Sequence, residues 1–538
     1  MDFHGNNFLG SELSSLGPKV FHGFAPARGK ELPEAFHQAT LDEINQAVGL
    51  AVDAFSSLRQ KPAGDIARLL EHIAAEIEAL GDALIERAVL ESGLPQGRLE
   101  GERARTAGQL RLFASLVNEG SYLDVRIDEA LPDRKPLPRP DLRRMLIPIG
   151  PVAVFGASNF PLAFSVAGGD TASALAARNP VVVKAHPAHP GTSELVAGAI
   201  SRAVKDTGMP EGTFSMVHAT DPEISLQLVR HEGIQAVGFT GSERAGRAIF
   251  NAAAERPHPI PAYVEMGSIN PIFVLPGALA SSGESIAQGL FGSINMGVGQ
   301  FCTSPGVVVG SDEPNFDAFG KRLAGLFENG APGTMLYPNI WNAYRQAAEQ
   351  RAQTPGVRSI RSTVGADAQK TEVTPVLFEA NADVWLTNKD LTTELFGPSA
   401  VLVRGRTREE LLRIARGLTG TLTASVFGTP EDLAAYRDLI AILEQKAGRI
   451  LFNSFPTGVE VSNAMHHGGP YPATADPKFT SVGTAAILRF LRPVCYQNFP
   501  QDVLPDELRD QNPRGIWRLI NGVLTKDQLK TPATKASN

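Results

Sequence analysis

Residues 152–161 read Val-Ala-Val-Phe-Gly-Ala-Ser-Asn-Phe-Pro, and residues 181–184 read Val-Val-Val-Lys. Each is a short apolar run followed at once by small or polar residues, which is typical of a buried parallel strand. Similar runs follow at 214–218, 236–239 and 263–266, and stretches with helical periodicity separate them. Strands that alternate with helices in this way predict a doubly wound α/β domain.

A second alternating series begins at Pro271, so the chain is expected to hold two doubly wound α/β domains. The first 120 residues or so are predicted to be helical, beginning at a capping box formed by Thr40 and Glu43. The Pro-rich, basic segment 132–144 and the tail after Thr474 are predicted to be extended arms. The candidate strands of the second series are 272–275, 307–309, 400–403, 424–427 and 450–453.

Composition excludes several classes of protein. The chain has 538 residues, 43% of them hydrophobic, which is enough apolar surface to build large cores. Its 50 basic and 57 acidic residues give a net charge of −7, so neither nucleic acid nor a membrane is expected as a partner. The two cysteines, Cys302 and Cys495, exclude a disulfide scaffold. Free thiols and a start without a signal-peptide pattern predict a cytoplasmic protein.

Two residues have the chemistry of a nucleophile and a base. Cys302 lies in a glycine-flanked stretch, Gly-Gln-Phe-Cys-Thr-Ser, between a predicted helix and a predicted strand. Such a setting suits an accessible thiol, although a buried inert cysteine would be compatible with the same sequence. Glu265 closes an apolar strand, where a carboxylate is costly unless it is paired or reactive. It is a candidate general base, with a structural ion pair as the alternative.

Other candidates lie where predicted strands meet helices. Asn159 could donate its amide to an oxyanion or simply cap a helix. The segment Phe239, Thr240, Gly241 and Ser242 could accept a pyrophosphate at a helix N-terminus, but the usual Gly-x-Gly-x-x-Gly fingerprint is missing. The histidine pairs at 186/189 and 466/467 have no carboxylate or cysteine at ligand spacing, so no metal site is expected.

Taken in order, the motifs resemble those of the aldehyde dehydrogenase superfamily over nearly the whole chain. A region around Glu91–Pro95 and the segment Lys184–Thr192 further resemble the branch that oxidises α-ketoglutaric semialdehyde (2,5-dioxopentanoate), with NADP-dependent fatty aldehyde dehydrogenases nearby. The motifs that carry the superfamily resemblance are Asn159-Phe160-Pro161, Lys184 after three valines, Phe239-Thr240-Gly241-Ser242, Glu265-Met266-Gly267, Gly299-Gln300-Phe301-Cys302 and Glu394-Leu395-Phe396-Gly397-Pro398.

The resemblance implies an architecture and a set of partners. It implies a cofactor-binding domain from residues 1–124 and 149–270 and a catalytic domain from 271–473. Residues 125–148 and 474–538 would form an oligomerisation arm and tail. The expected assembly is a homodimer or homotetramer, and the expected substrate is a small-molecule aldehyde.

The resemblance also implies a mechanism. Cys302 would attack the aldehyde, Asn159 would stabilise the oxyanion, and Glu265 would activate water to hydrolyse the thioester. The cofactor is expected to be NADP or NAD. Residues implied to bind it are Lys184, Phe239, Thr240, Gly241, Ser242, Glu394 and Phe396.

Two departures from relatives shape the expectations for cofactor and substrate. Pro187 stands where many NAD-using relatives have a glutamate that would repel a 2′-phosphate, so NADP is slightly favoured. Ala167 stands where succinic semialdehyde relatives have an arginine for the substrate carboxylate. Arg105 and Gln109 share one helix face and, together with Phe160, are candidate substrate contacts, with a structural arginine as the alternative.

The expected function is therefore oxidation of α-ketoglutaric semialdehyde to α-ketoglutarate. A medium- or long-chain (fatty) aldehyde dehydrogenase is the alternative enzyme. A structural or binding protein that keeps the fold without catalysis is the alternative outside enzymes.

Overall fold

The computed structural model describes residues 3–311, 314–367 and 369–529. Its first sheet has a parallel core of five strands, extended at one edge by two antiparallel N-terminal strands. The order across this sheet is Ala262–Glu265, Ala236–Thr240, Val152–Phe155, Val181–Ala185, Phe214–His218, Asn7–Leu9 and Glu12–Ser14.

Both faces of this sheet are covered, as the continuous apolar runs predict. Val181 and Val183 belong to one hydrophobic core, whereas Val182 between them belongs to another. Successive side chains on a strand point to opposite faces, so helices must pack on both sides to bury all of them. The doubly wound arrangement is therefore confirmed for the first sheet.

The second sheet is built in the same way. Ile272 and Val274 pack in one core and Phe273 in another, so this sheet too is covered on both faces. All strand pairs are parallel except the one at the first edge. The order is Arg358–Arg361, Val376–Asn381, Ser399–Gly405, Val307–Ser311, Ile272–Val274, Thr421–Phe427 and Ala447–Phe452.

A third sheet joins the two predicted arms. The strand Leu142–Pro148 pairs antiparallel with Leu491–Gln497 from the tail and with Arg126–Asp128. The strands Arg518–Ile520 and Val523–Thr525 complete this sheet, so the tail is less irregular than its sequence indicates.

The helices agree with their predicted positions in most cases. The capping box of Thr40 and Glu43 opens the first helix. The helix bounds are Leu41–Leu58, Ala63–Ala79, Gly81–Ser92, Gln96–Glu119, Gly169–Ala176, Pro190–Asp206, Pro222–Arg230, Glu243–Ala254, Pro276–Asn295, Pro314–Glu328, Pro338–Ala352, Ala382–Thr387, Lys389–Thr392, Arg408–Gly417, Pro430–Ala435 and Arg437–Glu444.

The prediction of an all-helical N-terminal region was wrong. Besides the two short strands of the first sheet, Val20–Ala25 and Lys30–His37 form a hairpin of their own. These strands are short, and the hairpin alternates exposed and buried residues irregularly, so no clear period of two is visible in the sequence. The helical stretch from 63 to 92 is divided into Ala63–Ala79 and Gly81–Ser92, where Gly81 adopts a positive φ of 56°.

In each parallel sheet, the chain adds strands on one side of its first parallel strand and then on the other side. In the first sheet, Val181–Ala185 and Phe214–His218 lie on one side of Val152–Phe155, and Ala236–Thr240 and Ala262–Glu265 lie on the other. Ligands of doubly wound proteins bind beyond the carboxyl ends of strands at such a point. Within the described residues, no helix combines the length and the apolar character needed to cross a membrane.

Candidate active site

A cleft of about 1440 Å³ opens between the carboxyl ends of the strands of the first sheet and the amino ends of the strands of the second. Its walls include Asn159 and Lys184 from the first sheet and Cys302 and Glu394 from the second domain. Glu265, the last residue of the edge strand of the first sheet, lines the same cleft. Residues that are far apart in the sequence therefore face one shared space.

One end of the cleft is formed by the residues predicted to hold a cofactor. Phe239, Thr240, Gly241 and Ser242 line it, together with Lys184. Ser242 caps the helix Glu243–Ala254, whose N-terminal amides face this region. Burial lowers the pKa of the Lys184 ammonium to about 8, because the low-dielectric surroundings disfavour its charge.

Glu394 and Phe396 line the same cleft. Burial, reinforced by the negative charges of Glu243 and Glu265, raises the pKa of Glu394 to about 8. A Cβ at Gly267 would lie only 2.7 Å from Glu394 Oε2, so the glycine makes room for this carboxyl group. Glu394 is therefore largely protonated at neutral pH and available as a hydrogen-bond donor.

The turn that carries Cys302 depends on a close approach of two backbones. Gly299 has a positive φ of 66°, and a Cβ there would lie 2.2 Å from the carbonyl carbon of Gly397. Val298 is also left-handed, with a φ of 59°, which is rare for a β-branched residue. The glycine of the Glu-x-Phe-Gly-Pro motif thus supports the cysteine turn directly.

Asn270 holds the same turn from the other side. Its Nδ2 donates to the carbonyls of Cys302, at 2.8 Å, and Ser304, at 2.9 Å. Its Oδ1 accepts from the hydroxyls of Ser268, at 2.7 Å, and Thr423, at 2.9 Å. The amide is completely buried, so its hydrogen bonds are not exchanged for bonds to water.

The side chain of His467 lies between Cys302 and Glu265. His467 Nε2 is 3.0 Å from Glu265 Oε1 and 3.4 Å from Cys302 Sγ. Ser481 donates its hydroxyl to the other carboxylate oxygen of Glu265. Both His467 contacts use the same nitrogen, whereas Nδ1 is buried without a partner among the described residues.

The surroundings shift the pKa values of the Glu265 carboxyl and the Cys302 thiol in opposite directions. Burial would raise the pKa of Glu265, but the contacts with His467 and Ser481 outweigh it, so the pKa lies below its ordinary value. Burial raises the pKa of the Cys302 thiol well above its ordinary value, and the negative charge of Glu265, joined by that of Glu394 at the higher pH where it ionises, adds to the effect. Glu265 is therefore ionised, and Cys302 holds its proton.

His467 and Ser481 were not identified as site residues from the sequence. The segment around Thr474 pairs with Glu265 at the edge of the first sheet and carries both side chains to the carboxylate. The sequence showed no carboxylate or thiol near the histidine pair at 466/467, yet the fold places both beside His467. The adjacent glycines, Gly468 and Gly469, were the available signal, because both approach backbone atoms closely.

One face of the helix Gln96–Glu119 positions Asn159. Arg98 donates to the Asn159 carbonyl at 2.6 Å. Glu102, one turn later, accepts the backbone N–H groups of Leu162 and Ala163. The Asn159 amide donates to the Gln300 carbonyl at 2.9 Å, which links this turn to the cysteine turn. An amide has two N–H bonds, so the second remains for a ligand.

Arg105 and Gln109 lie further along the same helix face. The Arg105 guanidinium lies 5.8 Å from the ring centre of Phe160 and 5.4 Å from that of Phe164. Its Nε and Nη2 are buried and have no hydrogen-bond partner among the described residues, and neither has Gln109 Nε2. The geometry argues against the alternative of a structural salt bridge, because a carboxylate partner would bond to these nitrogens.

We expect Gly299→Ala to destabilise the protein by about 1–3 kcal/mol from backbone strain alone, with a further cost from the contact at Gly397. Gly283→Ala is the matched control, since Gly283 lies in the helix Pro276–Asn295 with open space around its Cβ position. The control should be neutral or stabilising by about 0.4–1 kcal/mol. Denaturant unfolding measures both, and equal stability of the two variants would contradict the role of Gly299.

The comparisons with known proteins agree with this geometry. The family model described as "Aldehyde dehydrogenase family" matches residues 14–471. The chain is 49% identical to alpha-ketoglutaric semialdehyde dehydrogenase 2 of Azospirillum brasilense, over 97% of this chain and 99% of that protein. It is also 49% identical to the alpha-ketoglutaric semialdehyde dehydrogenase of Acinetobacter baylyi, over 91% and 93%.

Solved structures show the same fold. The structure of 3,6-anhydro-L-galactose dehydrogenase in complex with NADP matches with a TM-score of 0.78 at 20% identity, over 91% of this chain and 99% of that chain. An aldehyde dehydrogenase variant from Bacillus cereus matches with a TM-score of 0.77 at 22% identity, over 92% and 96%. With the match of the family model over most of its length, this chain belongs to the aldehyde dehydrogenase family.

Proposed function

We propose that this chain oxidises α-ketoglutaric semialdehyde to α-ketoglutarate, with NAD or NADP as the electron acceptor. The names of its two relatives at 49% identity support the substrate. The observation that carries the proposal is the buried guanidinium of Arg105, which has donors without a partner among the described residues and lies close enough to Cys302 for their charges to interact. A substrate with an aldehyde at one end and a carboxylate at the other supplies what both groups need.

The cleft fits a nicotinamide dinucleotide. Lys184 and the N-terminus of the helix Glu243–Ala254 offer positive charge and free amides to phosphate groups. Glu394 is a candidate to bond a ribose hydroxyl, and Phe396 lines the same cleft as Glu394 and Cys302. The bound cofactor supplies a hydride acceptor, and the residues of the chain position the aldehyde carbon against it.

Attack on the aldehyde begins with loss of the Cys302 proton. The Sγ···Nε2···Oε1 contacts through His467 give that proton a path toward Glu265. The thiolate adds to the carbonyl carbon, and the oxygen becomes an oxyanion. The free N–H of Asn159 stabilises this charge, and one such donor typically contributes about 10²–10³ in rate.

Hydrolysis of the thioester requires a base close to Cys302, and the Glu265 carboxylate lies in the same cluster. Glu265 first passes the Cys302 proton on to solvent, and it is then ionised because His467 and Ser481 hold its carboxylate. The carboxylate takes a proton from water as the hydroxyl adds to the thioester carbon, and the Cys302 sulfur then leaves. Family members that transfer the acyl group to coenzyme A usually lack this base, so the presence of Glu265 favours a free acid as product.

The substrate carboxylate is assigned to Arg105. Its guanidinium is packed against the rings of Phe160 and Phe164, which fix its plane while leaving donors open. Burial lowers the pKa of Arg105, whereas the nearby charge of Glu102 opposes this, and a guanidinium remains charged throughout the physiological range. Gln109, with its own unpartnered Nε2, is a second polar contact on the same face.

The test compares α-ketoglutaric semialdehyde with hexanal in the wild type and in Arg105→Met. We expect the wild type to prefer the keto-acid aldehyde. The substitution should raise KM for that substrate by roughly 30-fold or more, because it leaves a carboxylate without its buried partner. Hexanal has no carboxylate, so its KM should change little.

Arg103→Met is the matched control, because Arg103 is on the same helix and donates instead to the carbonyl of Gly81. An unchanged KM for the keto-acid aldehyde in Arg105→Met would reject the anchor. Wild-type preference for hexanal would move the protein to the medium- or long-chain (fatty) aldehyde dehydrogenases.

Glu265→Gln tests the hydrolytic step. We expect a slowed burst of about one NAD(P)H per active site, because the Cys302 proton must then leave through His467 to solvent. A steady-state rate reduced about 10²–10⁴-fold should follow, because deacylation lacks its base. Stopped-flow absorbance measures both phases. Cys302→Ser should show neither phase. A variant without a burst but with normal thioester hydrolysis would contradict the role of Glu265.

The cofactor preference is proposed to be NADP, on the absence of a carboxylate at Pro187 and on the position of Lys184. Because the Lys184 pKa is about 8, the ammonium loses its charge as the pH rises past that value. A 2′-phosphate is largely ionised above pH 7. Glu394, whose pKa is also about 8, ionises over the same range, but it would act on NAD and NADP alike, so a larger change for NADP than for NAD reports Lys184.

We therefore expect NADP affinity to weaken roughly tenfold between about pH 7 and pH 9.5, as a charge-assisted hydrogen bond is lost. Fluorescence titration measures the Kd, and NAD should show a smaller change. Lys184→Arg keeps its charge and should bind NADP with little pH dependence. Constant NADP affinity in the wild type would refute this assignment.

We further propose a homodimer or homotetramer. The edge strand Ala447–Phe452 of the second sheet exposes Ile450 and Phe452, and the third sheet exposes Val523 and Leu524. Exposed apolar side chains on unpaired strand edges favour pairing with another chain. The cytoplasm stays the predicted compartment, since Cys302 and Cys495 are both free thiols.

A further inference from the structure

The cluster of Glu265, Cys302 and His467 brings three different metal-binding groups together at the base of the cleft. Their carboxylate oxygen, sulfur and imidazole nitrogen all lie within 4.8 Å of one another. His467 Nε2 is 3.0 Å from the carboxylate and 3.4 Å from the sulfur. Donors around a tetrahedral zinc ion at about 2.0–2.3 Å are themselves roughly 3.3–3.8 Å apart. Small side-chain movements are therefore enough to place an ion among them.

The donor types favour zinc over the abundant hard cations. Thiolate and imidazole suit Zn²⁺, whereas Mg²⁺ and Ca²⁺ prefer oxygen donors. Three protein ligands with an open fourth position are the pattern of accessible zinc sites. Cys302 and Glu265 both line the cleft, so an ion can enter from solvent and keep a water as its fourth ligand.

Charge balance supports the same conclusion. Once the thiol has lost its proton, Cys302 and Glu265 together carry two negative charges, which a divalent cation neutralises. Buried charges are tolerated when they are paired or coordinate a metal. The His467 ring would keep its proton on Nδ1, which has no competing partner among the described residues.

We propose that Glu265, Cys302 and His467 form a zinc site that reversibly inhibits the enzyme. On binding, the S–H bond of Cys302 breaks, its proton goes to solvent, and a Zn–S bond forms without any change in oxidation state. The occupied sulfur no longer attacks an aldehyde. The site depends on the geometry of the three side chains, and only the inhibition depends on the function proposed above.

Two other surface features could bind metal, so both are removed by substitution before the test. His72, Glu76 and Asp206 form a more exposed group, with His72 Nε2 at 3.7 Å from Asp206 Oδ2. Cys495 is an exposed thiol. The full chain carrying His72→Ala and Cys495→Ser is therefore the reference protein.

Cobalt is the probe, because Co²⁺ bound to a thiolate gives a sulfur-to-metal charge-transfer band in the near ultraviolet. We expect the reference protein to bind one Co²⁺ with this band, and Zn²⁺ to displace it. Adding His467→Asn should weaken the affinity by about 100-fold or more, since loss of even an outer-shell partner of a metal ligand costs about 10–100-fold. His466→Asn, at the neighbouring position, should leave the affinity unchanged.

Absence of the thiolate band in the reference protein would overturn the site. So would His467→Asn binding metal as tightly as the reference, because the cysteine would then act alone. Neither readout requires turnover, so failure of the proposed reaction and failure of the zinc site are distinguishable. In an active preparation, Zn²⁺ should inhibit in competition with the aldehyde, and a chelator should restore the rate.

Discussion

The buried amide of Asn270 keeps the two halves of the active site in register. It lies between the last strand of the first sheet and Ile272–Val274, which opens the second. From there it bonds the cysteine turn on one side and the hydroxyls of Ser268 and Thr423 on the other. Each buried group left without its partner would cost about 1–3 kcal/mol, so the network strongly favours a single arrangement. Cys302 can then face Glu265 and Asn159 at fixed distances.

The protonation states in the cleft follow from how each charge is compensated. Glu265 is ionised because His467 and Ser481 offset its burial, whereas the backbone hydrogen bond from Ser268 does not offset the burial of Glu394, which is largely protonated. The Cys302 thiol holds its proton because its burial and the negative charge of Glu265 oppose a thiolate. Two carboxyl groups on one cleft thus acquire different chemical roles from their surroundings alone.

Sequence patterns predicted most of the secondary structure that carries the site. The apolar runs around Val152–Phe155 and Val181–Ala185 are long enough and sufficiently rich in valine to indicate buried strands, and both are present. The N-terminal hairpin was missed, because Val20–Ala25 and Lys30–His37 follow no regular period. Pairing with a neighbouring strand, rather than local preference, stabilises such segments.

The sequence by itself determined the α/β class, the order of the motifs and the identity of Cys302, Glu265 and Asn159 as candidates, because these depend on local periodicity and residue chemistry. Only the tertiary structure decided that His467 lies between Cys302 and Glu265, and that Arg105 is buried without an ion-pair partner. The physical reason is distance along the chain. Contacts between residues separated by a hundred positions or more are set by how sheets and helices pack, and spacing in the sequence does not encode them.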